Sequence, residues 1–212
     1  MLWAEFVVVM LFAVAPSFFA ETSGSPVRLA PAAHIYFIFR FLAHLALVLY
    51  IVWIADGDFK AIGISKLDWR VDGKACLIIL VGLVITSLFL IPFGGLRTPH
   101  YTSGAIPTSP PDGFSIALAV LSSCVSALFY EVMERGYAIG RLSELLGKPW
   151  LAVVILAVVF GAAQLRQSTF AGVFSILSGI ILGASVIYSK RIWATILFAG
   201  ISVAVFSLQV NR

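Results

Sequence analysis

The chain has 212 residues, 61% of them hydrophobic and only 11% charged, with a formal net charge of +4 and a mean hydropathy of +1.05. Soluble domains carry about 25% charged residues, so this chain has too few to cover a water-facing surface, which excludes a cytoplasmic globular enzyme and a disordered tail. The basic residues are scattered between apolar runs and form no stripe, which excludes a nucleic-acid binder. The two cysteines, Cys76 and Cys124, each fall in an apolar run and read as small core residues rather than a disulfide scaffold.

A helix needs about 20 mostly apolar residues to cross the hydrocarbon, and only helices or closed barrels satisfy the backbone there. The apolar runs are continuous rather than alternating, which excludes a barrel. Seven spans are predicted: Leu2–Ala20, Ala33–Ala55, Ala75–Pro92, Phe114–Leu142, Trp150–Leu165, Phe170–Tyr188 and Arg191–Leu208. The first resembles a signal peptide in length, but it has no positive n-region and carries Glu5, so a retained span is expected. The fold class is therefore an all-α polytopic transmembrane helix bundle of about seven spans.

Loop charge sets its direction. One set of loops holds Lys60, Lys66, Arg70, Lys74, Arg141, Lys148, Lys190 and Arg191, the other only Arg28, Arg97, Arg166 and Arg212. Eight against four puts the N-terminus inside. Two connectors stand apart. Asp56–Lys74 is charged and contains the short apolar piece Phe59–Ile64, readable as a segment resting on the membrane surface. Pro92–Gly113 carries Pro92, Pro99, Pro107, Pro110 and Pro111, a density that forbids a helix. It reads first as a solvated link and second as a docking loop.

Ionisable residues inside a membrane are costly and point to function. The fourth span ends in Tyr130-Glu131-Val132-Met133-Glu134-Arg135-Gly136-Tyr137. Glu131 and Arg135, four apart, share a helix face and can pair, and Glu134 lies within reach of Arg135. On these residues alone the first reading is a compensated cluster that pins the helix to its neighbours. Glu131 is 11 residues from Leu142, Gln164 is 14 from Trp150 and Gly200 is 9 from Arg191. At about 1.5 Å per residue the three fall within roughly a turn and a half of one depth. Gly136/Gly140 and Gly179/Gly183 form two Gly-x-x-x-Gly pairs that allow close helix approach, within the chain or toward a partner. Trp3, Trp53, Trp150 and Trp193 lie near span ends, as an interfacial belt requires.

The Glu131/Arg135 block, continuing as Gly136-Tyr137, then Gly140-Arg141-Leu142, Phe160-Gly161 on the next helix and Ser189–Leu197 before the last, resembles the CPBP intramembrane proteases. That family includes CAAX-processing and bacteriocin-processing (Abi) proteins. The resemblance covers about residues 59–208 and divides the chain into N-terminal transmembrane helices at 1–58 and a CPBP-like helical core at 59–212. The family signature is Glu-Glu-x-x-x-Arg, then Phe-x-x-x-His, then His-x-x-x-Asn, and it implies a hydrolytic centre. This chain departs where that chemistry resides. Tyr130 replaces the first glutamate, Gln164 the second-motif histidine, Gly200 the third-motif histidine and Ala204 its asparagine. Gly200 and Ala204 offer no side-chain donor, and Gln164 neither takes a proton nor suits zinc. The three histidines, His34, His44 and His100, all precede the family core. A rewired site of His44, Glu131 and Glu134 is the weaker reading of His44, which more simply pairs with Arg40 one turn away.

Tyr130, Glu131, Arg135, Gln164, Gly200 and Ala204 thus mark a degenerate family site with no catalytic residue, no metal and no cofactor. The expected protein is a non-enzymatic CPBP-like pseudoprotease of the bacterial inner membrane. It serves as a scaffold, assembly factor or accessory subunit whose partners are membrane proteins and lipid. An intramembrane endopeptidase with a rewired site is the alternative. A small transporter or lipid-binding protein, with Arg40 and Glu131 lining its path, comes after both.

Overall fold

The computed structural model describes residues 3–10, 31–90, 113–165 and 168–210, with side chains up to 202. All regular structure among them is helical. α1 covers residues 3–10, α2 Pro31–Asp56, α3 Trp69–Leu90, α4 Gly113–Leu146, α5 Pro149–Gln164, α6 Thr169–Ser189 and α7 Trp193–Val210. α2, α3, α4 and α6 are long and apolar enough to cross a membrane, while α5 and the described part of α7 are shorter apolar helices. The second half of the first predicted span, the proline-rich Pro92–Pro111 stretch with His100, Arg166 and the Ala204 side chain lie outside the described residues.

The helix ends follow local chemistry. α4 stops at Gly147, whose left-handed φ of 65° costs glycine nothing. Its N–H donates to the Ser143 carbonyl at 2.8 Å. Two residues later Pro149 opens α5, where its missing N–H costs no helical bond. Ser168 caps α6, its hydroxyl accepting from the Ala171 N–H at 3.0 Å. In α3 the buried residues Asp72, Ala75, Ile79, Leu83, Thr86 and Leu90 recur at three and four, a single inward stripe. The outward face, with Leu77, Leu80, Val84 and Leu88, is left for lipid.

The packing runs in a circuit. The end of α4 lies against α5, α5 against α6, α6 against α3, α3 against α7 and α7 back against α4, with α2 on the other side of α4. Phe6 and Val9 of α1, Val48 and Val52 of α2, and the Phe129–Leu142 stretch of α4 share one buried cluster. Both glycine pairs serve this packing. A Cβ on Gly179 would lie 3.1 Å from the Ala157 Cβ, and one on Gly183 2.6 Å from Val153 Cγ1. A Cβ on Gly136 would lie 2.8 Å from the Ile62 carbonyl.

The Phe59–Ile62 piece is a 3-10 turn that docks inward rather than outside the bundle. Ile62 is buried, and Gly63, at a φ of 77°, leaves room for the Arg191 backbone, which a Cβ would approach to 3.3 Å. Three carbonyls of the segment that follows are pinned from the α6–α7 connection. Gly63 accepts from the Ile192 N–H at 3.3 Å, Ser65 from Trp193 Nε1 at 2.7 Å and Lys66 from Arg191 Nη1 at 2.7 Å. Trp193 therefore belongs to this strap, whereas Trp3, Trp53, Trp69 and Trp150 are exposed as belt residues are.

Gly183→Val pushes a branched, stiff side chain into Val153 and is expected to destabilise the bundle by about 1–3 kcal/mol, the usual cost of overpacking. Gly73→Ala, whose Cβ meets nothing within 4 Å, is expected to be neutral or to stabilise by up to about 1 kcal/mol. Unfolding in mixed micelles with increasing sodium dodecyl sulfate reads both.

Candidate functional site

The polar residues of the fourth predicted span sit where α4 is no longer an α-helix. Glu131–Ala138 is a π-helical insert, and the Ile139 N–H that closes it bonds to the Glu134 carbonyl, five residues back. Sequence gives no period for such an insert, so a regular helix is predicted there; π-bulges gather at functional sites. In this geometry both carboxylates reach one atom. Glu131 Oε1 and Glu134 Oε2 each lie 3.0 Å from Arg135 Nη1. All three side chains are largely withdrawn from the surface, at 6%, 15% and 13% exposure. The predicted pair is therefore present and extends to a triad, but it lies within one helix rather than between helices.

Beside the triad is a cavity of about 290 Å³, enclosed by the π segment, α5 and α6. Tyr130, Glu134, Arg135, Gln164, Ser175 and Ser178 supply its polar lining, and the rest is apolar, including Leu156, Phe160 and Gly179. Tyr130, Arg135 and Gln164, three positions singled out by the resemblance, thus line one cavity. Glu131 turns from the cavity toward α7, where Thr195 lies beside it. The Thr195 hydroxyl donates to the Ile192 carbonyl at 2.8 Å, and Glu131 Oε2 is left without a hydrogen-bond partner, as is Arg135 Nε.

Gly200 does not join the group. It is absent from the cavity lining, and a Cβ built there meets nothing within 4 Å. The equal-depth estimate errs because it sets a common level without fixing which way each helix is rotated. Thr195, in the first turn of α7, lies against Glu131 of the triad. Ser175 and Ser178 were missed, although two hydroxyls three apart on an apolar helix face were a readable signal.

The end of α4 carries a second polar cluster. Arg141 forks onto Asp56, Nη1 to Oδ1 at 3.0 Å and Nη2 to Oδ2 at 2.8 Å. Glu144 lies at 3.2 Å and Glu5 of α1 at 3.5 Å. The Tyr137 hydroxyl donates to the same Glu5 oxygen at 3.0 Å. These contacts span 85 and 132 residues, so no local pattern foretells them.

The two described histidines, His34 and His44, are elsewhere. The Ser122 hydroxyl donates to the Ala119 carbonyl at 3.0 Å and accepts from His34 Nδ1 at 2.9 Å, tying α2 to α4. His44 Nδ1 donates to the Arg40 carbonyl at 2.6 Å, and its ring meets Phe129 edge-on. Among the described residues no three His, Cys, Asp or Glu side chains converge so as to hold a metal ion, so His44, Glu131 and Glu134 form no joint site. The hydrolytic metal that the CPBP resemblance implies does not fit this donor set. Arg135 stands as a fixed cation between the two available carboxylates, and the facing position is the amide Gln164.

The family description Rce1-like, Type II CAAX prenyl endopeptidase Rce1-like, matches residues 112–205, which run from the start of α4 into α7. This segment, less than half of the chain, is similar to that family. It contains the π insert, the triad, the cavity lining and Gln164, and the similarity agrees with the long apolar helices of a membrane protein. No curated protein and no solved structure matches the chain.

Within this segment, Arg135→Ala leaves Glu131 and Glu134 facing each other uncompensated. It is expected to destabilise the protein by about 3–5 kcal/mol. The triple change Glu131→Gln, Glu134→Gln, Arg135→Met removes charge from all three sites and is expected to recover most of that loss. Detergent unfolding of the two variants beside the parent checks the difference.

Proposed function

We propose that this protein is a non-catalytic member of the Rce1-like group. It is an integral protein of a bacterial inner membrane that keeps the fold as a scaffold or accessory subunit for membrane-protein partners. The observation that carries the reading is the lining of the cavity. Its one carboxylate, Glu134, is tied to Arg135 at 3.0 Å, and its other polar groups are Tyr130, Arg135, Gln164, Ser175 and Ser178. Peptide hydrolysis needs a group that takes a proton from water and a group that stabilises the developing oxyanion. Arg135 could serve the second need, but nothing in the lining is poised for the first. The internal use of both glycine pairs and of the Arg141 cluster leaves the broad apolar outer faces of α2 and α3 for lipid and partner helices.

The competing reading is an endopeptidase of the CAAX type in which Glu134 leaves Arg135 and acts as base. Native mass spectrometry of tagged protein extracted from its own membrane in mild detergent separates the two. A membrane partner at fixed stoichiometry is expected. Gln164→Ala and Gly200→Ala are expected to keep that complex and the cellular phenotype it supports. Loss of activity in Gln164→Ala with normal assembly would overturn the proposal.

A further inference from the structure

We propose that the strap between α3 and the α6–α7 connection forms a binding site for an anionic phospholipid headgroup. An open groove of about 470 Å³ lies there, lined by Lys66, Leu67, Asp68, Trp69, Arg70 and Arg191. It is a built feature rather than a loose loop, because the Gly63, Ser65 and Lys66 carbonyls are fixed by Ile192, Trp193 and Arg191.

The charges of the groove are unequally used. Asp72 is buried; it accepts from the Asp68 N–H at 2.8 Å and from Arg191 at 3.4 Å. Asp68 accepts from the Arg70 N–H at 3.0 Å and lies 3.9 Å from Arg191 Nη2. Both acids are therefore committed to the start of α3 and to Arg191. Among the described residues, neither Lys66 nor Arg70 has a carboxylate within 4 Å of its side-chain nitrogens. Both are exposed, as is Lys74 one turn further along α3. The surplus is positive, and an ammonium beside a guanidinium suits a phosphodiester.

The groove also lies at the right depth. Trp69, 72% exposed, and Leu67, 43% exposed, form its rim where α3 begins its apolar run, the level at which tryptophan marks the headgroup layer. By the loop charge count this is the inner end of the bundle, and inner leaflets rich in anionic lipid attract basic clusters. A phosphodiester held by Lys66 and Arg70 places its acyl chains along the lipid-facing side of α3.

The test uses the full chain in detergent with equal amounts of phosphatidylglycerol and phosphatidylcholine, and native mass spectrometry counts each lipid retained. The parent is expected to retain phosphatidylglycerol preferentially, and Lys66→Gln with Arg70→Gln to lower that preference on the order of tenfold. The charge-keeping pair Lys66→Arg with Arg70→Lys, and Lys148→Gln at the exposed α4–α5 turn, are expected to keep it. Both altered side chains are exposed and without ion-pair partners, and an unchanged circular dichroism spectrum confirms the fold. No preference in the parent, an equal preference in the glutamine pair, or an equal loss in Lys148→Gln would each overturn the site. Displacement of the lipid by millimolar inorganic phosphate would reassign it to a free anion.

Discussion

Charge compensation along α4 is the constraint on which the rest of this bundle hangs. α4 is a 34-residue apolar helix that carries Glu131, Glu134, Arg135 and Arg141 through its buried half, and an unpaired charge in such surroundings costs several kcal/mol. Arg141 is neutralised chiefly from outside the helix, by Asp56 and Glu5, with Glu144 of α4 beside it. Its bidentate bond to Asp56, the geometry in which guanidinium and carboxylate match best, fixes the end of α2 against the end of α4. Glu5 adds α1 through both Arg141 and the Tyr137 hydroxyl. The apolar cluster of Phe6, Val9, Val48 and Val52 with Phe129–Leu142 fills the space those bonds define.

The triad is compensated from within the helix, one guanidinium serving two carboxylates, and that arrangement shapes the cavity. The π turns bring Glu131 and Glu134 to a single nitrogen of Arg135, the first toward Thr195 and the second toward the space between α5 and α6. Gly161, Gly179 and Gly183 let α5 and α6 close on each other around that space. The result is a polar pocket in an apolar bundle whose single carboxylate already has a cation. Its chemistry is that of an internal salt bridge.

Much of this was legible in the sequence. Continuous apolar runs gave the helices, although Leu2–Ala20 is described only through residue 10, and α5 and the described part of α7 are short for a span. Glu131-x-x-x-Arg135 gave the pair, because helical spacing is a local property. Residue counts from the loops placed Glu131, Gln164 and Gly200 at one depth, while Tyr130 entered only through the family resemblance. Rotation about each helix axis is not written in a residue count, which is why Gly200 was grouped with Glu131 and Gln164 and Thr195 was not. The π insert, the Asp56–Arg141 fork and the strap from Gly63 to Trp193 depend on side chains and backbone meeting across tens of residues. Only the folded bundle brings these groups together. Phe59–Ile64 illustrates the same limit: its apolar residues suit a membrane surface equally well until Gly136 and Ile192 are known to stand beneath them.

The central claim is that the residues lining the cavity do not make up the donor set of a hydrolytic metal centre. Elemental mass spectrometry of the purified protein, loaded with zinc and freed of excess metal, tests it most directly. The account predicts far less than one zinc per chain, and the same trace amount in the Glu131→Gln, Glu134→Gln double variant. One equivalent of zinc in the parent, lost in that variant while its fold persists, would contradict it.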